Sequence, residues 1–171
     1  ELRLQAESPL PQAAVPEQAY LLRISGGRAL LCASTPAALQ HGLATLVQLL
    51  TLARGAPGAL LLPELELQDA PDLAERGVLL DVSRDKVPTM ATLRALIDRL
   101  ARWKINQLQL YIEHTFAYPG HEAVWQHASP LTAAEVRQLD AYCAERHVQL
   151  VPNQNSFGHL HRWLVHEPYR Q

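Results

Sequence analysis

Residues 76–118 constrain the fold of this chain more than any other stretch: RGVLLDVSRDKVPTMATLRALIDRLARWKINQLQLYIEHTFAY. Val78, Leu79, Leu80, Asp81 and Val82 read as a short, mostly apolar strand of the kind covered on both faces. Pro88 and Thr89 open a helix whose apolar residues recur at helical spacing: Met90, Leu93, Leu96, Ile97, Leu100 and Trp103. A second strand, Gln107 to Glu113, then alternates. Leu108, Leu110 and Ile112 fall on one face, and Gln109, Tyr111 and Glu113 on the other. The leucine face is expected to pack on helices and the polar face to line a barrel interior or cleft. Strand, helix, strand is one turn of a parallel βαβ layout, the unit from which α/β barrels are built.

A second unit follows. Thr132 and Glu135 have capping-box spacing, and the helix they start carries Val136, Leu139 and Cys143 inward. Val148 to Val151 is the next strand, and it runs into Pro152-Asn153-Gln154-Asn155-Ser156-Phe157-Gly158-His159. Another helix is predicted over His159 to His166. Thr115 to Pro130 is a loop longer than ordinary connections, and such loops in compact domains tend to be functional. With the chain ending at Gln171, the barrel is expected to be incomplete.

Residues 1–70 read as a separate small domain. Leu2 and Leu4 alternate with polar neighbours, as in a short strand. Tyr20 to Ser25 and Arg28 to Ala33 are the arms of a hairpin turned by Gly26-Gly27. Thr35 is an N-cap followed by Pro36 at the first helical position. Leu39, Leu43, Leu46, Val47 and Leu50 continue at helical spacing, so the helix should cover the sheet; Gly55, Pro57 and Gly58 end it. Leu65 and Leu67 suggest a last strand before a boundary at Asp69-Ala70-Pro71-Asp72. The predicted class is therefore α/β. A small α+β domain (1–70), an antiparallel sheet with a covering helix, precedes the first units of a (β/α)8 TIM-type barrel (71–171).

The formal net charge of −2 and the lack of a long basic run argue against nucleic-acid or anionic-membrane partners. No apolar run reaches the roughly 18 residues of a spanning helix. Cys32 and Cys143 are far apart and read as separate buried thiols rather than a disulfide framework. Glu1 in place of Met fits either removal of a targeting segment or excision from a longer chain, which leaves the compartment open.

Active sites of β/α barrels lie at the carboxyl ends of the strands. That rule nominates Asp81 to Arg84, Glu113 to Phe116 and Asn153 to His159. Carboxylates, amides and imidazoles can each make several hydrogen bonds to sugar hydroxyls, and Tyr111, Phe116, Tyr118 and Trp125 offer apolar faces to a pyranose ring. Simpler roles stand beside these: Asp81 as the cap of its own turn, Glu113 as an arginine's partner, Asn153 and Asn155 as satisfiers of loop backbone. His114, His121, His127, His159 and His161 form no helical HxxxH pair, and His159 and His161 would face apart on a helix. That spacing argues against a bound metal ion.

The run DAPDLAERGVLLDVSRDKVPTMATLRALIDRLARWKINQLQLYIEHTFAY resembles the opening of the catalytic barrel of glycoside hydrolase family 20, the β-N-acetylhexosaminidases. PEQAYLLRIS and ASTPAALQHGLATLVQLL resemble the small α/β domain in front of that barrel, and YIEHTFAY and LVPNQNSFGH are most similar to a bacterial branch of the family. The resemblance implies a hydrolase that removes terminal β-linked N-acetylglucosamine or N-acetylgalactosamine from glycans. The substrate's own 2-acetamido oxygen would be the nucleophile, one of the exceptions to the two-carboxylate scheme. In the family an Asp orients the acetamido group and the adjacent Glu is acid, then base. Asp69, Asp72, Asp81, Asp85, Asp98 and Asp140 are each followed by another residue, so the Asp-Glu pair is expected beyond Gln171 and the chain alone is expected to be inactive.

By the same resemblance Arg76 matches an arginine that holds the outer hydroxyls of the sugar, although strand polarity places it at the other end of its strand. Glu113 and His114 stand near the usual Asp-Asp pair. His159 matches a histidine that supports the general acid, and Asn155 replaces that histidine's usual Asp partner. Arg76, Glu113, His114, Asn155 and His159 are thus the expected sugar contacts. The rival class is a non-catalytic carbohydrate-binding or interaction module. Its open sheet would associate with a second copy or with the missing remainder of the barrel.

Overall fold

The computed structural model describes residues 2–4, 13–53 and 61–170. Its elements are β1 (Leu2–Leu4), β2 (Tyr20–Ser25), β3 (Arg28–Ala33), α1 (Pro36–Leu52), β4 (Leu65–Asp69), β5 (Gly77–Asp81), α2 (Met90–Arg102), β6 (Gln107–Ile112), α3 (Glu122–Trp125), α4 (Ala133–Ala144), β7 (Gln149–Gln154) and α5 (His161–Leu164). The described residues fall into two compact units, one drawn from 1–76 and 101–104, the other from 77–100 and 105–171. The class is α/β, with one sheet in each unit among the described residues.

In the first unit the strand order is β1-β3-β2-β4. β2 and β3 form the expected hairpin, with Ser25 opposite Arg28. Gly26 and Gly27 have φ of 54° and 73°, the two positive values a type I′ turn needs and side chains resist. β4 pairs antiparallel with β2, and β1 parallel with β3. Thr35 caps α1 by accepting the Ala38 N–H at 3.1 Å. Leu39, Leu43, Leu46 and Leu49 then pack on a core of Tyr20, Leu22, Ile24, Leu31, Ala33 and Ala38. The apolar stripe is rotated from the expected one, since Val47 is exposed and Leu49 takes its place. Gly42 makes the close approach possible: a Cβ there would stand 2.3 Å from a methyl of Leu31. The residues expected to end α1, Gly55, Pro57 and Gly58, lie outside the described residues.

A polar cluster sits in this unit. The Tyr20 hydroxyl donates to Asp69 Oδ2 at 2.7 Å, and Lys104 Nζ donates to both of them at 2.7 Å. His41, on α1, is 5 % exposed. Its burial, with the charges of Arg76 and Lys104 adding to it, pulls the imidazole pKa down to about 4.

The second unit holds a parallel sheet in the order β5-β6-β7. Its register sets Asp81, Tyr111 and Asn153 in one row. Leu108, Leu110 and Ile112 are buried, as the alternation predicts, while Gln109 and Tyr111 on the other face are half-buried. Amides bridge that face, Gln107 to Gln149 at 3.4 Å and Asn153 to Gln109 at 3.3 Å. α4 starts with the capping box of Thr132 and Glu135 and lies against β7. Leu93, Ile97 and Leu100 of α2 are buried, but Trp103 falls past the helix end and is exposed. The long loop after β6 contains α3 and a bridge between Phe116 and Leu131. α5 is shorter than expected, one turn from His161 to Leu164. Cys32 and Cys143 are both free and buried. Among the described residues no helix is long and apolar enough to cross a membrane.

The fold favours neutral His41, so its contribution is whole above the unfolded value of about 6.5 and fades as pH falls toward 4. Between pH 7 and pH 4.5 the native chain should lose about 2–3 kcal/mol more than His41→Gln, read from urea midpoints at the two pH values. Equal losses would contradict the burial argument.

Candidate functional site

β5 ends at Asp81, whose Oδ1 accepts the Ser83 N–H at 2.8 Å and folds the following turn. The turn aims Ser83 at the neighbouring strand. Its buried Oγ accepts the Glu113 N–H at 2.7 Å and shares a hydrogen bond with the Thr115 hydroxyl at 3.0 Å. Glu113, one residue past β6, is only 6 % exposed. A buried carboxylate is tolerated when paired and hydrogen-bonded, and both conditions are met. Its Oε1 makes a short ion pair with the Arg84 guanidinium and accepts the Tyr111 hydroxyl at 2.9 Å. Arg84 also stands 3.5 Å from Asp81 and lies over the Tyr111 ring, 5.7 Å from its centroid.

The third strand closes the cluster. Asn155 Nδ2 donates to the Tyr111 hydroxyl at 2.6 Å, while its Oδ1 accepts the Phe157 and Gly158 N–H groups at 3.3 and 3.2 Å. His159 follows in the left-handed region at φ 54°, uncommon for a side-chain-bearing residue. Its Nδ1 comes to 3.9 Å from Glu113 Oε1, with the side chain 64 % exposed. The carbonyl of Glu113 accepts Gln154 Nε2 at 3.0 Å and the Trp163 indole N–H at 2.7 Å. Three strand ends thus meet on one residue, Glu113.

Of the expected contacts, the structure brings Glu113, Asn155 and His159 together. It gives His114 and Arg76 other surroundings. Alternation turns His114 to the side opposite Glu113, where it lines a cleft of about 910 Å³ with Asp85, Lys86, His127, Arg162 and His166. Among the described residues its Nδ1 is buried without a partner, and burial, then the charge of Arg162, holds its pKa below the usual imidazole range. Arg76 spends its guanidinium within the first unit. It donates to the carbonyls of Lys104 (2.9 and 2.7 Å), Leu73 (2.6 Å) and Ala74 (3.2 Å) and to Gln18 Oε1 (2.9 Å).

Among the four aromatic residues nominated for a sugar face, only Tyr111 stands in the cluster. Phe116 and Tyr118 pack edge to face at 4.6 Å, and the Trp125 N–H is tied to the Tyr118 carbonyl at 2.8 Å. A recess of about 290 Å³ lies beside Asn155, lined by Tyr118, His121, Leu160 and Trp163. Ser83, Arg84 and Gln154 lie in the nominated runs without having been singled out, and Trp163 lies outside them. Only Ser83 left a signal, as the hydroxyl two residues beyond a strand-ending Asp. Among the described residues no three His, Cys, Asp or Glu side chains converge to hold a metal ion.

Residues 74–171 match the family described as glycosyl hydrolase family 20, catalytic domain. A beta-hexosaminidase of Vibrio furnissii is 28 % identical over 88 % of this chain and 29 % of its own length. The solved GH20 beta-N-acetylhexosaminidase of Streptomyces coelicolor A3(2) superposes with a TM-score of 0.79 at 28 % identity, over 95 % of this chain and 36 % of that one. A mutant Streptomyces plicatus beta-hexosaminidase in complex with the product GlcNAc gives 0.78 at 27 % identity, over 96 % and 36 %. The chain therefore spans about a third of the length of these relatives.

Ser83→Ala strips the buried Glu113 N–H of its acceptor. Loss of about 1–3 kcal/mol of unfolding free energy is expected by urea titration, and a change within a few tenths would show that the turn does not hold Glu113 in place.

Proposed function

The chain belongs to glycosyl hydrolase family 20, and on that premise we propose that it is the amino-terminal part of a β-N-acetylhexosaminidase that removes terminal N-acetylglucosamine or N-acetylgalactosamine from glycans. β5, β6 and β7 are the first strands of its (β/α)8 barrel, within residues 71–171, and residues 1–70 form the small domain in front. The parallel register and the intervening helices α2 and α4 support this reading. So does the GlcNAc bound to the Streptomyces plicatus relative.

The observation that carries the proposal is the Glu113 cluster. A carboxylate held by Arg84 and Tyr111, on a backbone fastened from the neighbouring strand ends, presents a fixed acceptor and needs little reorganisation when a hydroxyl arrives. Arg84 uses one nitrogen on Glu113 and Asp81, and its side chain is 53 % exposed. Its remaining N–H groups can donate to a second hydroxyl in the fork geometry of a guanidinium. Arg84, rather than Arg76, is therefore the arginine assigned to the sugar. Asn155 and His159 complete the rim, and His114 belongs to the opposite side.

In the proposed reaction the acetamido oxygen of the sugar attacks its own anomeric carbon while a general acid protonates the departing oxygen; water then opens the cyclic intermediate with overall retention. The acid and the residue that orients the acetamido group are an Asp-Glu pair, and no such dipeptide occurs in this chain. The residues described here bind and orient; they do not protonate. No metal or organic cofactor takes part.

Two outcomes follow. The 171-residue chain should release no chromophore from a chromogenic N-acetylglucosaminide, and turnover that co-purifies with the chain would refute the assignment of its role. N-acetylglucosamine at millimolar concentration should shift the amide resonances of residues 111–115 and 155–159, and Glu113→Gln should weaken that binding by about 10-fold or more. Shifts confined to other residues would reject the site.

A further inference from the structure

Trp163 is the third residue of α5, a helix of one turn that is too short to be stable by itself. Rings hold it in place. The indole lies 6.0 Å from Tyr118, 5.4 Å from His121 and 5.5 Å from Tyr169, centroid to centroid. His121 Nδ1 and the Tyr169 hydroxyl are 2.5 Å apart, which joins two of those rings to each other. The loop after β6 and the segment after β7 are thus packed into one aromatic body. Its indole N–H points at the main chain of Glu113, at 2.7 Å from the carbonyl oxygen.

That carbonyl has two lone pairs, and both are used, one by Trp163 and one by Gln154 at 3.0 Å. The N–H of the same residue is held by Ser83. The backbone of Glu113 is therefore fastened on both sides, while among the described residues its carboxylate is reached by Tyr111, Arg84 and the nearby His159.

We infer that Trp163 is a positioning residue: its indole N–H, together with Gln154, sets the Glu113 backbone and so the point at which the Glu113 carboxylate meets the sugar. This rests on the functional reading above for the identity of the ligand, but not for the geometry. The aromatic body makes α5 the element through which displacement of the segment after β7 reaches the end of β6.

The test uses the whole 171-residue chain with 13C-labelled glutamate. Trp163→Phe keeps a ring for the packing and removes the N–H. Trp125→Phe, which frees the Tyr118 carbonyl instead, is the control. The Glu113 side-chain carboxyl resonance should move in Trp163→Phe and stay in place in Trp125→Phe, and N-acetylglucosamine should bind about 3- to 10-fold more weakly to the former only. Gln154→Met removes the other donor at similar volume and should move the same resonance, which keeps the test decisive if Trp163→Phe folds poorly. An unmoved carboxyl resonance in Trp163→Phe or Gln154→Met, or equal movement in Trp125→Phe, overturns the inference. If the wild-type chain ignores N-acetylglucosamine altogether, the functional reading fails, and the carboxyl resonance still decides the role of Trp163.

Discussion

Desolvation of one carboxylate organises the second unit. Glu113 is almost wholly out of water, and an unpaired charge there would cost several kcal/mol. The fold answers with a guanidinium and a backbone clasp from the turn after β5, a phenol from its own strand and further backbone clasps from β7 and α5. These groups come from several separate segments of the chain. Satisfying the charge therefore specifies how those segments meet, and the same contacts leave the rim with ordered donors and acceptors.

The first unit solves a comparable problem in another way. Asp69, Lys104 and the Tyr20 hydroxyl share their hydrogen bonds around a partly buried ion pair. His41, buried near the charges of Arg76 and Lys104, stays neutral. Arg76 donates to the carbonyls of Lys104 and Leu73, and this gives a structural reason for a guanidinium just before β5.

Local chemistry was the most legible part of the sequence. Gly26-Gly27, Thr35-Pro36 and the Thr132 to Glu135 spacing each name a backbone conformation that needs nothing distant, and all three occur as read. Alternation along β6 foretold the buried leucine face. It also carried a warning about His114: a residue next to Glu113 on an extended chain points the other way, whatever a neighbouring motif suggests. What stayed hidden depends on distant chain segments. No spacing announces that Arg84 will meet Glu113, or that an indole fifty residues on will find its carbonyl. Val47 and Leu49 differ by roughly half a turn, and only the bulk of the facing sheet selects between them.

The six residues of β6 also act as a parity check. From Leu108 onward every even position is sealed against the protein and every odd one is offered to the strand-end face. Insertion or deletion of a single residue in this stretch would exchange the two sets, sending the acid into the interior and the leucines outward. Drift in this strand can thus proceed by substitution, but its length in residues is frozen by the side on which its chemistry must emerge.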